Sequence, residues 1–145
     1  MDSELNNVID NFLGYAKEQN LEMIELALTS KKFKINQTFT KEIYSNEKHL
    51  QGITLLHYAS WKGKTKLVQM LIQKADISVN KSTITGITPL MRAAFYGHYE
   101  IVEALINHPK INLNKRNGKG NTALDMAIYK GHMQVASLIE EADGR

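Results

Sequence analysis

Hydrophobic residues recur along the chain in two kinds of short helical pattern, and the two kinds alternate. The first kind starts at a threonine and places leucine and then alanine at helical spacing, as at Thr88, Leu90 and Ala93. The second kind, over residues 101–106, pairs branched aliphatic residues every three to four positions. Threonine is a favoured N-terminal cap, and this spacing gives a helix one apolar face. The pattern therefore predicts pairs of short helices.

The helix-pair pattern repeats at a fixed interval of 34 residues. The sequence Gly-x-Thr marks the start of each unit, at Gly52, Gly86 and Gly120. A second glycine separates the two helices of each unit, at Gly63, Gly97 and Gly131. A constant period of this length is typical of stacked helical repeats. We therefore predict one unit over residues 52–85, a second over 86–119 and a third over 120–145.

Capping and turn residues support these helix bounds. Pro89 suits the first helical position, where its missing N–H costs nothing, and Asp125 lies where a capping acid is expected. The glycines between the helices adopt a left-handed turn at little cost. The predicted N-caps are Thr54, Thr88 and Thr122. We expect the first helices to bury one leucine and one alanine per unit: Leu56, Ala59, Leu90, Ala93, Leu124 and Ala127.

The segments between units predict short β-hairpins. In "DISVNKSTIT" and "INLNKRNGKG", β-branched or apolar residues alternate with polar ones. Asn117-Gly118 is typical of a two-residue hairpin turn. The predicted fold class is an all-α repeat, or α-solenoid, with short β-hairpin fingers.

These units resemble the ankyrin repeat family. The resemblance is carried by Thr88-Pro89-Leu90, Ala93-Ala94, Gly97-His98, residues 101–106 and Asn114. Tetratricopeptide repeats share the period but lack the Thr-Pro-Leu start, the Gly-His turn and the hairpin. The histidine of the family's Thr-Pro-Leu-His element is kept only at His57, and Met91 and Asp125 replace it in the later units. The resemblance implies an ankyrin-repeat stack.

The two ends of the chain depart from the repeat. Residues 5–36 fit a divergent N-terminal capping repeat, in which Asn36 corresponds to Asn80. Residues 37–51 then form an enlarged finger loop, which is either functional or mobile. Glu140 stands where earlier units have isoleucine, so residues 120–145 are expected to form a C-terminal cap. We thus predict a single domain, residues 1–145, of about four repeats.

Composition excludes several function classes. The chain has no cysteine, and no apolar run is long enough to span a membrane. The acidic, polar start is unlike a signal peptide, so we predict a cytoplasmic protein. No histidine pair has the spacing of a helical metal site. We predict no catalytic residues, no cofactor, no metal and no small-molecule substrate.

The resemblance implies where a partner binds. In the ankyrin family the two residues before the inter-helix glycine point into a concave groove beside the finger tips. Here those pairs are Trp61-Lys62, Phe95-Tyr96 and Tyr129-Lys130. The adjacent finger positions are Gln51, Ile53, Ile84, Thr85, Ile87, Lys119 and Asn121. Aromatic rings beside cations predict a protein partner with acidic and apolar contact residues.

Two alternatives to this hypothesis remain open. The rings of Trp61, Phe95 and Tyr129 could instead pack on neighbouring repeats and shield the stack. The basic surplus, net +8 over residues 31–145 against −5 over residues 1–30, could bind nucleic acid through its interleaved aromatics. The bases are scattered among acids, so we favour a monomeric protein-binding module that acts as a scaffold, inhibitor, effector or immunity protein.

Overall fold

The structure, a computed structural model, describes a continuous segment over residues 52–144. Seven earlier residues are also described: Glu22, Glu25, Leu28, Lys34, Ile35, Asn36 and Thr38. The predicted capping repeat over 5–36 and the enlarged finger over 37–51 therefore lie largely outside the described residues.

Six helices in three pairs make up the continuous segment. They are α1 (Leu55–Lys62), α2 (Thr65–Ile72), α3 (Pro89–Phe95), α4 (Tyr99–Ile106), α5 (Ala123–Tyr129) and α6 (Met133–Asp143). The first helices of the pairs, α1, α3 and α5, pack side by side, and so do the second helices, α2, α4 and α6. The molecule is thus a two-layer stack, as the repeat pattern predicts. No helix among the described residues has the length and apolar character needed to cross a bilayer.

The core lies between the two layers and between successive pairs. Leu56, Leu90, Ala93 and Ala127 are buried as predicted, because each faces a neighbouring helix of its layer. Leu124 is only partly buried. Within the described residues no helix pair follows α5 and α6, so one side of this leucine stays open. Glu140 is exposed on the same pair.

Each first helix begins at a threonine that exchanges two hydrogen bonds with the residue three positions later. Thr54 receives the backbone N–H of His57 and donates its own N–H to His57 Nδ1, at 3.1 Å. Thr122 donates to Asp125 Oδ2 at 2.9 Å, which confirms the predicted capping acid. In the middle unit Met91 accepts through its sulfur. Three different side chains therefore complete one capping motif.

The turn between the helices joins each pair to the one before it. Gly97 has a φ of 71°, in the left-handed region, as predicted. The imidazole of His132 covers this glycine, and a β-carbon added to Gly97 would lie 2.6 Å from His132 Nδ1. His132 Nε2 donates to the carbonyl oxygen of Phe95 at 3.1 Å. His98 makes the same bond to Trp61, at 2.9 Å.

The finger loops are one residue longer than the predicted two-residue hairpin turn. Thr83 N–H donates to the carbonyl of Ile87, and Gly86 N–H donates back to the carbonyl of Thr83. This is a three-residue loop that ends in a left-handed glycine, since φ of Gly86 is 83°. The loop 117–121 has the same bonds, which places its turn at Gly118-Lys119. The sequence Asn117-Gly118 therefore predicts the turn one residue before its position in the structure.

Asparagines hold successive loops in register. Asn80 donates to the carbonyl of Lys110 at 2.7 Å and accepts from Asn112 N–H at 2.8 Å. Asn36 makes the equivalent pair of bonds to Asp76 and Ser78. The predicted correspondence of Asn36 with Asn80 is thus confirmed.

Candidate binding groove

The predicted binding surface combines the ends of the first helices with the finger tips. We call it the groove face; its described residues are Trp61, Lys62, Ile84, Thr85, Phe95, Tyr96, Lys119, Asn121, Tyr129 and Lys130. The first helices carry these aromatics because each helix ends within a residue or so of them, just before its glycine turn. A side chain at a helix end beside a turn is not enclosed by the next helix of its own pair. The local fold therefore leaves the rings near the surface.

The three predicted aromatics differ in their exposure. Trp61 and Phe95 are half-buried, and Trp61 packs against the core. Tyr129 is 83% exposed. Tyr96 is 42% exposed, and its ring meets Phe95 edge to face with 5.0 Å between centroids. The rings thus shield the stack at one end of the row and face outward at the other.

Cations lie against the aromatic rings. Lys62 Nζ is 3.8 Å from the centroid of Trp61, and Lys130 Nζ is 5.0 Å from that of Phe95. Both distances fall in the range of cation–π attraction. Because a lysine over a ring keeps its charge accessible, the pairs present positive charge beside apolar surface.

Arg92 is a buried cation beside the groove face that the sequence reasoning missed. Its guanidinium lies 5.9 Å from the Trp61 ring, and the residue is buried. Burial lowers the pKa of Arg92, and the nearby Tyr96 opposes that change. Arginine nevertheless stays charged at neutral pH. The sequence does distinguish Arg92, since the other units have the uncharged residues Tyr58 and Met126 at this position.

A cleft of about 660 Å³ opens between the loop 117–121 and α5. Its lining residues are Phe95, Asn117, Lys119, Asn121, Asp125, Met126, Ile128 and Tyr129. The backbone N–H of Thr122 holds the pKa of the Asp125 carboxyl below its ordinary value, so this group is ionised at neutral pH. The cleft brings four predicted residues together: Phe95, Lys119, Asn121 and Tyr129.

Two of the predicted binding residues do not contribute surface to the groove face. Ile53 is 1% exposed, and Ile87 is also in the core. The Ile87 carbonyl further accepts a hydrogen bond from His57 Nε2 at 2.9 Å. Their assignment as contact residues was wrong, because the left-handed glycine before each turns the chain into the stack. Gln51 lies outside the described residues.

Charge divides the stack into two sides. Helices α2, α4 and α6 together carry five carboxylates and one lysine. On the groove face and the first helices the only carboxylate is Asp125, against Lys62, Arg92, Lys119 and Lys130. The groove face therefore carries an excess of positive charge.

The described histidines serve the fold. His57 is fully buried, and burial lowers its pKa to about 4, so its ring is neutral. His98 and His132 donate to backbone carbonyls of the preceding unit. No group of three or more His, Cys, Asp or Glu residues in the described part of the chain is arranged to hold a metal ion.

Comparison with protein families gives one match. A model of ankyrin repeats, in three copies, matches residues 56–144. That range covers the six helices of the stack apart from Leu55, the first residue of α1. A search of curated proteins gives no match.

Proposed function

The chain belongs to the ankyrin-repeat family, and we propose that it is a non-catalytic module that binds a partner protein through its groove face. Ankyrin repeats are a typical protein-interaction module. Each unit keeps its buried surfaces constant while its helix ends and finger tips vary, so such a stack adapts to a partner without refolding its core.

The observation that carries the proposal is the occurrence of exposed aromatic side chains together with cation–aromatic pairs at the ends of the first helices. Ile84 at the finger tip is 69% exposed, and Tyr96 and Tyr129 are exposed nearby in the stack. Large rigid rings bury much apolar area at a small entropic cost, and they are enriched at interface hot spots. Exposed aromatic and aliphatic side chains are unfavourable in water, so a complex in which a partner covers them is stabilised.

Charge indicates what the partner presents. Lys62, Lys119 and Lys130 are exposed, whereas the carboxylates lie mainly on the second helices. A partner with acidic side chains around an apolar centre is therefore attracted to the groove face. We propose such a surface as the partner's contact region.

The test is affinity capture from an extract of the native source, with the full chain immobilised, followed by mass spectrometry. We expect one or more proteins to be retained by the wild type and lost by the double variant Tyr96→Ala, Tyr129→Ala. Two hot-spot truncations together lower affinity by several hundredfold or more. Both side chains are exposed in the free protein, so melting temperature should change little.

The matched control is the double variant Tyr99→Ala, Met133→Ala. These side chains are comparably exposed but begin the second helices α4 and α6. Capture that survives in both double variants would sink the proposal. A retained protein that is released by nuclease, with submicromolar binding of an oligonucleotide at about 0.15 M salt, would instead favour nucleic acid.

A further inference from the structure

We propose that the cleft between the loop 117–121 and α5 anchors an acidic peptide segment of the partner by one large apolar side chain. The inference rests on the proposed function, since it names the part of the partner and the part of the groove face that meet. The inference gives this contact a defined position, at the end of the groove face where the apolar side chains are most exposed.

The apolar wall of the cleft is built from four side chains of two neighbouring units. Phe95 and Met126 are half-buried, Ile128 is 47% exposed and Tyr129 is exposed almost completely. The volume of about 660 Å³ lies within the range of sites that enclose a bound group. An apolar side chain placed here removes surface from water on both molecules, which is favourable.

The cleft lies at the last described unit. Ile128 occupies the position of Ser60 and Ala94, which are both fully buried. Among the described residues no first helix of a further unit packs against α5, so this side of the helix is open. The bulk of isoleucine, in place of serine or alanine, also fills the space that a closely packed next helix requires. The open side therefore offers an apolar wall to a side chain of a partner.

The polar rim of the cleft selects for carboxylates. Lys119 lines the opening, and Lys130 lies against Phe95 from the end of α5. Arg116 donates to the carbonyl of Gly120 at 2.8 Å, which places a third cation beside the loop. The one acid, Asp125, already accepts a hydrogen bond from the backbone N–H of Thr122 at the start of α5. The cleft thus has three cations and one carboxylate, which already accepts a hydrogen bond. This charge balance favours the binding of an acidic segment.

Asp125 also favours a peptide over a nucleic acid as the ligand of the cleft. A strand whose bases stacked on Tyr129 would bring phosphates close to this carboxylate, which repels them. A peptide places its acids only where the sequence puts them, next to Lys119 and Lys130, and its apolar side chain next to Met126. The composition of the cleft thus fits a peptide better.

The experiment selects short random peptides, displayed on phage, on the immobilised full chain at about 0.15 M salt. We expect the enriched peptides to combine at least one leucine, phenylalanine or tryptophan with flanking aspartate or glutamate. Labelled copies are then titrated with variants by fluorescence anisotropy. Tyr129→Ala should weaken binding about thirtyfold, and Lys119→Glu at least about tenfold.

Matched controls lie on the second helices. Tyr99→Ala removes a side chain that is 41% exposed, and Lys66→Glu reverses an exposed charge on α2. Neither should change affinity more than twofold or so, and every variant should keep the wild-type melting temperature because all four positions are exposed.

Three outcomes would overturn the inference. The first is that no peptide is enriched, or that the enriched peptides lack either acids or an apolar anchor. The second is that affinity falls with Tyr96→Ala or Lys62→Glu but not with Tyr129→Ala, which removes the cleft and leaves the proposed function intact. The third is submicromolar binding of an oligothymidine that Tyr129→Ala abolishes.

Discussion

His57 links the stability of the stack to pH. The ring accepts the Thr54 N–H through Nδ1 and donates to the Ile87 carbonyl through Nε2, so the fold uses the neutral form. Burial lowers its pKa from 6.5 to about 4. Above pH 6.5 neither folded nor unfolded ring is charged. As pH falls from 6.5 to 4 only the unfolded state gains the proton, and stability declines by roughly 3 kcal/mol in total.

The check is urea unfolding of the wild type and His57→Met between pH 7 and pH 4. Methionine is the residue that the next unit uses at this position, where Met91 accepts from Thr88. We expect His57→Met to be less stable at pH 7 but to lose less stability on acidification. Parallel curves for the two proteins would show that His57 does not carry the pH dependence.

Ser60 is a buried hydroxyl without a hydrogen-bond partner among the described residues. The next unit has Ala94 at the same position, also fully buried. Because an unsatisfied buried hydroxyl costs free energy, Ser60→Ala should raise the free energy of unfolding by about 1 kcal/mol. Thermal and urea melts measure this. A decrease of similar size would mean that the hydroxyl is bonded.

At the scale of the elements, helix starts and turns follow from short sequence signals because they depend on neighbours in sequence. Thr54, Thr88 and Thr122 cap the helices as predicted, and the glycine turns are left-handed. The finger loops were less predictable. Asn-Gly indicates a two-residue turn, but a glycine three residues after Asn117 competes for the left-handed position. That choice depends on bonds between loops, such as Gly118 N–H to the Thr85 carbonyl at 2.9 Å.

The turn glycines allow a matched pair of substitutions. Gly131→Ala places alanine in the left-handed region, since φ is 76°, with no atom within 4 Å of the new β-carbon. It should cost about 1–2 kcal/mol. Gly97→Ala has nearly the same φ but also displaces the His132 ring, so it should cost at least about 1 kcal/mol more. Equal losses in urea melts would contradict the role assigned to His132.

At the scale of the whole molecule, position in the stack decides how much a side chain contributes. Leu90 is buried because α3 has α1 on one side and α5 on the other, whereas Leu124 is only partly buried. We expect Leu90→Ala to cost about 2–5 kcal/mol and Leu124→Ala distinctly less. Urea unfolding of both variants is the measurement. If both cost the same, the open side of α5 is not open in solution.

The candidate site could be predicted only in part, because the exposure of a side chain depends on its position in the stack. The residues before each turn are readable from the sequence, and Tyr96 and Tyr129 are exposed near the positions that the family pattern implies. How far a ring is covered depends on the adjacent unit, and no spacing in the sequence reports it. Ile53 and Ile87 illustrate this, because the family pattern places them at a finger while the glycine before each directs them into the core.

The way the helices meet also has a consequence for the rate of folding. The main contacts among the described helices join members of one pair or of adjacent pairs. No large loop has to close before such contacts form, so the contact order is low and folding should fall in the microsecond-to-millisecond range typical of helical proteins with local contacts. The middle pair, α3 and α4, gains neighbours on both sides and is the natural nucleus from which helix formation spreads to the ends.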